Sequence, residues 1–432
     1  MPNAAATAAP AALTPALTPA ALERARRRSR WTLAAGVAVG STGHIAAVTV
    51  ATIVAADLLG EQALAGLPGA TVVLGAALGA TLLSNVMAKT TRRRGISLGY
   101  TVGVAGALIA TIAIILRSFP LLLVGTLLIG FGSASNQLAR YAAADMVPMH
   151  RRASAIGTVV WGGTVGSVIG PTLVPVASGM AAGVGLPPLA GPYLVPVLFV
   201  GAAALLSFVF LRPDPYELAD ETDVHAQLAA DAAGDAVEPV LAILRRPAVV
   251  AALATLVVSQ LVMTLIMTMT PLHMTSHHHS LADVGIVLSG HTLGMYAFSP
   301  VSGWLSDRFG RTRTIFVGAA VLIISGVMAA VAPPDGGVLL LVGMFLLGVG
   351  WSLGYVAGSA MLSDELEVHE RTRIQGAADS LIWSAAAGAS LGSGLIVAVA
   401  GYTALGILAV GLVAIAVAVF RHNSRIAAAA RR

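Results

Sequence analysis

GWLSDRFGRTR, residues Gly303 to Arg313, is the stretch on which the reading of this chain turns. Asp307, Arg308, Arg311 and Arg313 crowd into it although only 10% of the 432 residues are charged, and long apolar runs flank it on both sides. A charged turn between two such runs has the pattern of a loop at a membrane surface.

Outward from this turn, apolar runs recur at 31–56, 67–88, 96–116, 119–143, 153–180, 193–211, 248–272, 283–304, 314–332, 338–362, 374–399 and 402–420. At about 1.5 Å per residue each is long enough to cross a hydrocarbon layer about 30 Å thick. A backbone in lipid must satisfy its hydrogen bonds within its own segment, so the spacing predicts an all-α membrane protein with twelve transmembrane helices. Placing both termini in the cytoplasm puts 24 of the 25 Lys and Arg residues on the inner face and leaves only Arg117 outside. An excess of basic residues marks the cytoplasmic side, so a multi-pass protein of the inner (plasma) membrane is expected.

The basic balance is therefore a topology signal. No basic stripe with interleaved aromatics is present, and nucleic acid is excluded as a partner. Cysteine is absent, which removes disulfides and thiolate chemistry. No G-x4-G-K-[ST] loop and no H-E-x-x-H string occur, so neither ATP-driven pumping nor metal-dependent hydrolysis is supported. The chain reads as a non-enzyme without a cofactor. The apolar run after Arg-rich residues 23–30 and Trp31 is too long for a signal peptide and reads as an uncleaved first span.

Residues 212–247 interrupt the apolar pattern and hold eight of the 20 acidic residues. They divide the chain into a disordered basic tail (1–30), a six-helix half (31–211), an acidic cytoplasmic linker (212–247), a second six-helix half (248–421) and a short tail (422–432). The halves repeat each other at an offset of 219. Ser84, Lys89, Arg92 and Arg94 map onto Gly303, Arg308, Arg311 and Arg313, while Asp145, His150, Arg152 and Gly157 map onto Asp364, His369, Arg371 and Gly376. Two D-x4-H-x-R-x4-G strings in corresponding loops mark a tandem duplication with a pseudo-twofold axis along the membrane normal.

GWLSDRFGRTR resembles the signature loop G-x-x-x-D-R-x-G-R-[RK] of the major facilitator superfamily, with Gly303, Asp307, Arg308, Gly310 and Arg311 at the matching positions and Arg313 beyond them. The first copy, Ser84 to Arg94, departs from the pattern: Ala88 stands where the acid belongs. The resemblance implies the major facilitator fold, alternating access to a small-molecule substrate, and a monomer. It also implies a conformational switch: Asp307 would face the positive N-terminal end of span 5 in the opposite half, while the basic residues hold the loop in the cytoplasm. Span 5 carries Gly157, Gly166, Gly170 and Pro171 at the spacing of the drug:proton antiporter branch, with Val174-Pro175 replacing its final glycine pair. That branch also has an arginine four residues before Gly130-Phe-Gly132. Here the position is Thr126.

Coupling, with H+ as the expected ion, then falls to ionisable groups within the spans, which are costly there. His44 lies near the middle of span 1, Asp379 a turn and a half into span 11, His291 inside span 8, and Asp57 at the outer end of span 1. For the histidines the residues leave both a coupling or substrate role and a structural one open; Asp379 either couples or meets the basic loops. Asn136, Gln137, Trp161, Gln260, Tyr355 and Trp383 are the polar and aromatic candidates for the cavity wall. A mostly apolar cavity with few polar points suits an amphiphilic organic compound better than a sugar. At the outer end of span 7, His273, His277, His278 and His279 lie beside Met263, Met267, Met269 and Met274. Imidazole and thioether suit copper or nickel, so a metal-gathering vestibule stands beside the plainer reading of flexible apolar filling and an exposed His run. Three functions follow: proton-coupled export of small amphiphilic organic compounds, import of a small organic solute or carriage of a metal ion on the same fold, and a non-transporting receptor.

Overall fold

A computed structural model describes residues 18–59, 67–219, 238–277, 281–332 and 337–430. Twelve long helices, one of them in two pieces, run through the described residues. The first half contains α1 (Pro19–Leu59), α2 (Leu67–Lys89), α3 (Arg92–Ile115), α4 (Phe119–Asp145), α5 (Arg152–Gly183) and α6 (Gly191–Phe210). The second contains α7 (Pro247–Ser276), α8 in two pieces (Leu281–Tyr296 and Ser299–Phe309), α9 (Arg311–Val331) and α10 (Gly337–Asp364). A final helical stretch, Val368–Ala430, is broken at Gly401, whose φ of 76° is closed to most side chains, into α11 (368–400) and α12 (402–430). Ten described helices are long and apolar enough to cross a membrane. The count becomes twelve because α8 is split into short pieces and α11–α12 run together.

Two boundaries differ from the sequence reading. Residues 19–30, expected as disordered tail, are the start of α1, and residues 422–430 continue α12. The first segment is rich in Arg and Ala and the second in Ala, which favour helix, and neither contains an interior Gly or Pro to stop it. Arg26 on this extension donates to the carbonyls of Leu218 and Ala219 at 3.0 and 2.8 Å, tying the helix to the start of the linker. Of that linker, residues 220–237 lie outside the described residues, and 240–244 form one short helix.

The duplication is visible in the packing. α5 meets α8 where a side chain on Gly157 would overlap the backbone of Ser299 and one on Gly303 would overlap that of Ala153 and Ser154. α2 meets α11 at the equivalent place, where Gly376 lies against Ser84 and the Ala80 carbonyl. Small residues let these helix pairs cross with their backbones close together, each pair joining one half to the other. Gly166 and Gly170 serve a different contact: they pack α5 against Ser41, Thr42 and Ile45 of α1 within the first half. Pro171 is accommodated inside α5.

The end of the bundle that carries the linker, both helical extensions and the charged turns is closed. Toward the other end, α5 and α11 become exposed: Val168, Val176 and Met180 on one, Leu391, Leu395 and Val399 on the other, the last being 88% exposed. Side chains added at Gly388 and Gly392 would meet nothing. The glycine contacts between the halves lie toward the linker face.

Candidate functional site

A continuous polar and aromatic column joins the halves behind the closed face. Its base is an ion pair between Arg140 of α4 and Asp379 of α11, with Nη2 at 2.5 Å from Oδ1 and each side chain only 1% exposed. Arg140 also donates to Oδ2 of Asp379 at 3.3 Å, to Ser359 Oγ at 3.1 Å, to the Gln137 carbonyl at 2.6 Å and to Tyr141 Oη at 2.9 Å. The rings of Tyr141 and Tyr355 cover its guanidinium with centroids at 4.2 and 4.4 Å. A buried charge needs this many partners, because desolvating it without them costs several kcal/mol.

Above the base, Tyr355 donates to Gln137 Oε1 at 2.5 Å, a second link from α10 to α4. Its ring stacks on Trp351 at 4.4 Å, the Trp351 indole N–H donates to Gln260 Oε1 at 2.8 Å, and Tyr296 meets Trp351 edge-on at 5.9 Å. Asn136 forms a parallel rung inside the first half, accepting from Tyr100 Oη at 2.7 Å and donating to Ser41 Oγ at 3.2 Å. The offset of 219 relates Ser41 to Gln260 and Asn136 to Tyr355, so the two rungs occupy corresponding places.

The column thus brings together Gln137, Gln260, Tyr355 and Asp379. Asn136 lies at its edge. Trp383 is half-buried one turn along α11 from Asp379, and Trp161 is 39% exposed. Asp379 sits deeper than the sequence spacing suggested, because α11 begins at Val368 and places it about three turns in.

Arg140, one of the basic residues counted on the inner side, is more than a turn inside α4, which continues to Asp145, and is buried. Its counterpart at the 219 offset is Ser359, and because these two equivalent residues touch, both lie beside the pseudo-twofold axis.

The remaining ionisable candidates stay outside the column. His44 is partly exposed on α1. His291 is fully buried within the second half, its Nδ1 2.9 Å from the Met344 carbonyl. Asp57 pairs with Arg117 at 3.3 Å on the opposite face, both side chains about half exposed or more, at 48% and 63%. This carboxylate therefore meets the single basic residue that the sequence reading placed outside.

On the linker face, the Asp307 carboxylate accepts from the backbone N–H groups of Ala153 and Ser154 at 3.2 and 2.8 Å, in the first turn of α5. Arg311 bonds Asp307 at 2.5 Å and Asp364 at 3.0 Å, and Arg152 of the first half reaches Asp364 at 3.0 Å. Gly310, with φ of 94°, makes the sharp turn into α9. Arg308 and Arg313 lie at the same turn, with Arg308 against Trp304 and Phe309. The first-half equivalents Arg92 and Asp145 repeat the Arg311–Asp364 pair at 2.6 Å.

In the Met- and His-rich region, His273 stacks on Tyr402 at 4.1 Å and its carbonyl lies 2.7 Å from His277 Nδ1. His278 and His279 lie outside the described residues. Among the described residues, no group of three or more His, Asp or Glu side chains is arranged to hold a metal ion.

Two pseudosymmetric six-helix halves of apolar helices, joined over a buried polar column, define a membrane transporter. The chain belongs to the Major Facilitator Superfamily, whose family model matches residues 32–280 and 253–430. It is 36% identical over 387 residues to the MFS-type transporter YdeG of Bacillus subtilis, covering 88% of each chain. It is 30% identical over 398 residues to the riboflavin transporter RfnT of Brucella anthropi, covering 90% of this chain and 94% of that one. Among solved structures, the proton:xylose symporter XylE shares the fold with a TM-score of 0.73 at 13% identity, over 90% of this chain and 95% of the other.

Proposed function

We propose that this transporter exports small amphiphilic organic compounds in exchange for protons, with Asp379 as the group that carries the proton and the linker face in the cytoplasm. The observation that carries the reading is the Arg140–Asp379 pair. It is the buried carboxylate–guanidinium contact at the column's base that spans both halves, so protonating Asp379 removes charge from the link that holds the inner side shut. His44 and His291 are weaker candidates because each lies on a helix of one half, where a change of charge acts on no bond between the halves. A proton entering from the outer side neutralises Asp379, the inner side opens, and the proton leaves to the cytoplasm. A substrate that binds only while Asp379 is ionised then travels outward, which is exchange. The apolar spans and few polar points of the column favour an amphiphilic compound, and the span-5 glycines support the export branch.

A second reading rests on the stacked Trp351 and Tyr355 with the Gln137 and Gln260 amides beside them. Such a platform suits a flat heteroaromatic ring, and the likeness to a riboflavin transporter favours carriage of a ring of that kind, in either direction. The test is purified protein in liposomes under an imposed pH gradient, with internal pH recorded. The panel contains amphiphilic cations and anions, riboflavin and divalent metals. The proposal expects proton movement that depends on an amphiphilic substrate. Flux unaccompanied by proton movement contradicts the coupling, and riboflavin-dependent flux alone favours the second reading.

A further inference from the structure

The switch on the linker face is asymmetric. In the second half Asp307 caps α5 of the first. Its first-half equivalent is Ala88, which is exposed and has no carboxylate. The equivalents of 153 and 154 are residues 372 and 373, in the second turn of α11, which begins at Val368.

The linker occupies that place. The Tyr216 hydroxyl is hydrogen-bonded to the buried Thr372 hydroxyl. The ring of Tyr216 lies against the fully buried guanidinium of Arg92, at 5.6 Å, and Arg92 itself reaches Gln375 of α11 at 2.7 Å. Tyr216 is held in position from the first half. Asp214, buried, accepts from the Arg93 N–H at 3.0 Å in the first turn of α3 and from the Tyr216 N–H at 3.1 Å. Leu218 is fully buried, and its carbonyl is one of the two that Arg26 holds. Residues 214–218 are therefore a folded part of the first half that presents one hydroxyl to the second.

We infer that this segment is the inter-half latch of the first half, with Tyr216 as its contact and Asp214 as the residue that positions it, in place of the missing acid. The linker is then a working part of alternating access: when the inner side opens, α11 moves away from α2 and α3, and the Tyr216–Thr372 bond breaks while Asp214 keeps the segment on α3. The inference goes beyond the proposed function and needs neither its substrate nor its coupling ion.

The native chain has no cysteine, so one introduced pair reports the closed state without background. Thr81 and Ser380, whose hydroxyls are 2.5 Å apart across the α2–α11 contact, are replaced by cysteine for this purpose. Tyr216→Phe should lower their crosslinking yield by about two- to tenfold, the worth of one hydrogen bond. Thr372→Val should do the same, and the two together should lower it no further than either alone. Undiminished crosslinking in Tyr216→Phe or additive losses in the double variant would each overturn the inference. The readout uses neither substrate nor gradient, so its failure is separate from failure of the exchange reaction.

Discussion

Asp307→Asn isolates the electrostatic part of the second-half switch. The substitution keeps the size of the side chain and one acceptor oxygen but removes the charge. In the closed state that charge lies against two N–H groups of the first turn of α5, at 3.2 and 2.8 Å, and bonds Arg311 at 2.5 Å with both side chains less than 15% exposed. A carboxylate at a helix N-terminus contributes about 0.3–2 kcal/mol, the upper end applying where it is partly buried. Replacing a charge-assisted hydrogen bond with a neutral one removes about 1 kcal/mol more. A loss of about 1–3 kcal/mol lowers the closed-to-open ratio about 5- to 150-fold at 1.4 kcal/mol per tenfold. Spin labels on cysteines introduced at the linker face measure that ratio as a distance distribution. The longer-distance population should grow while membrane insertion is unchanged, since acids contribute little to topology. An unchanged distribution together with normal transport would refute the latch.

Gly376→Ala should also weaken closure, by about 1–3 kcal/mol, because the added methyl overlaps Ser84 and the Ala80 carbonyl; the same spin-label distances read it. Arg140→Gln should lower folded yield, since an unpaired buried carboxylate costs about 3–5 kcal/mol, and adding Asp379→Asn should recover much of it in a size-exclusion and thermal-melt comparison. Replacing His277, His278 and His279 together with Ala should leave organic-substrate flux unchanged; loss of zinc, nickel or copper flux would promote the metal-carrier reading instead.

The spans were legible in the sequence because membrane thickness fixes their length, and the duplication because its loop residues recur at one offset. The break read between the runs 374–399 and 402–420 falls at Gly401, where a helix-breaking glycine, and not a loop, separates the two spans. The candidate site was legible in its parts. Gln137, Gln260, Tyr355 and Asp379 stand out as polar or aromatic residues in apolar helices, but their assembly into one column depends on helix rotation, which apolar spans of low amphipathicity do not encode. Arg140 escaped because a basic residue near a span end has the same pattern whether it faces water or a carboxylate 239 positions away. Asp214 and Tyr216 escaped because the linker was read by its composition, while its first residues are held by particular bonds to Arg93 and Thr372.

The central claim is that protonation of Asp379 couples the gradient to the movement of the halves. The direct measurement is substrate-dependent proton flux in proteoliposomes carrying the native chain, Asp379→Asn or His44→Gln, each checked for folding and for substrate exchange without a gradient. Asp379→Asn should retain exchange and lose pH-driven accumulation together with its proton flux, while His44→Gln keeps both. Undiminished pH-driven accumulation in Asp379→Asn, or its loss in His44→Gln alone, would contradict the account.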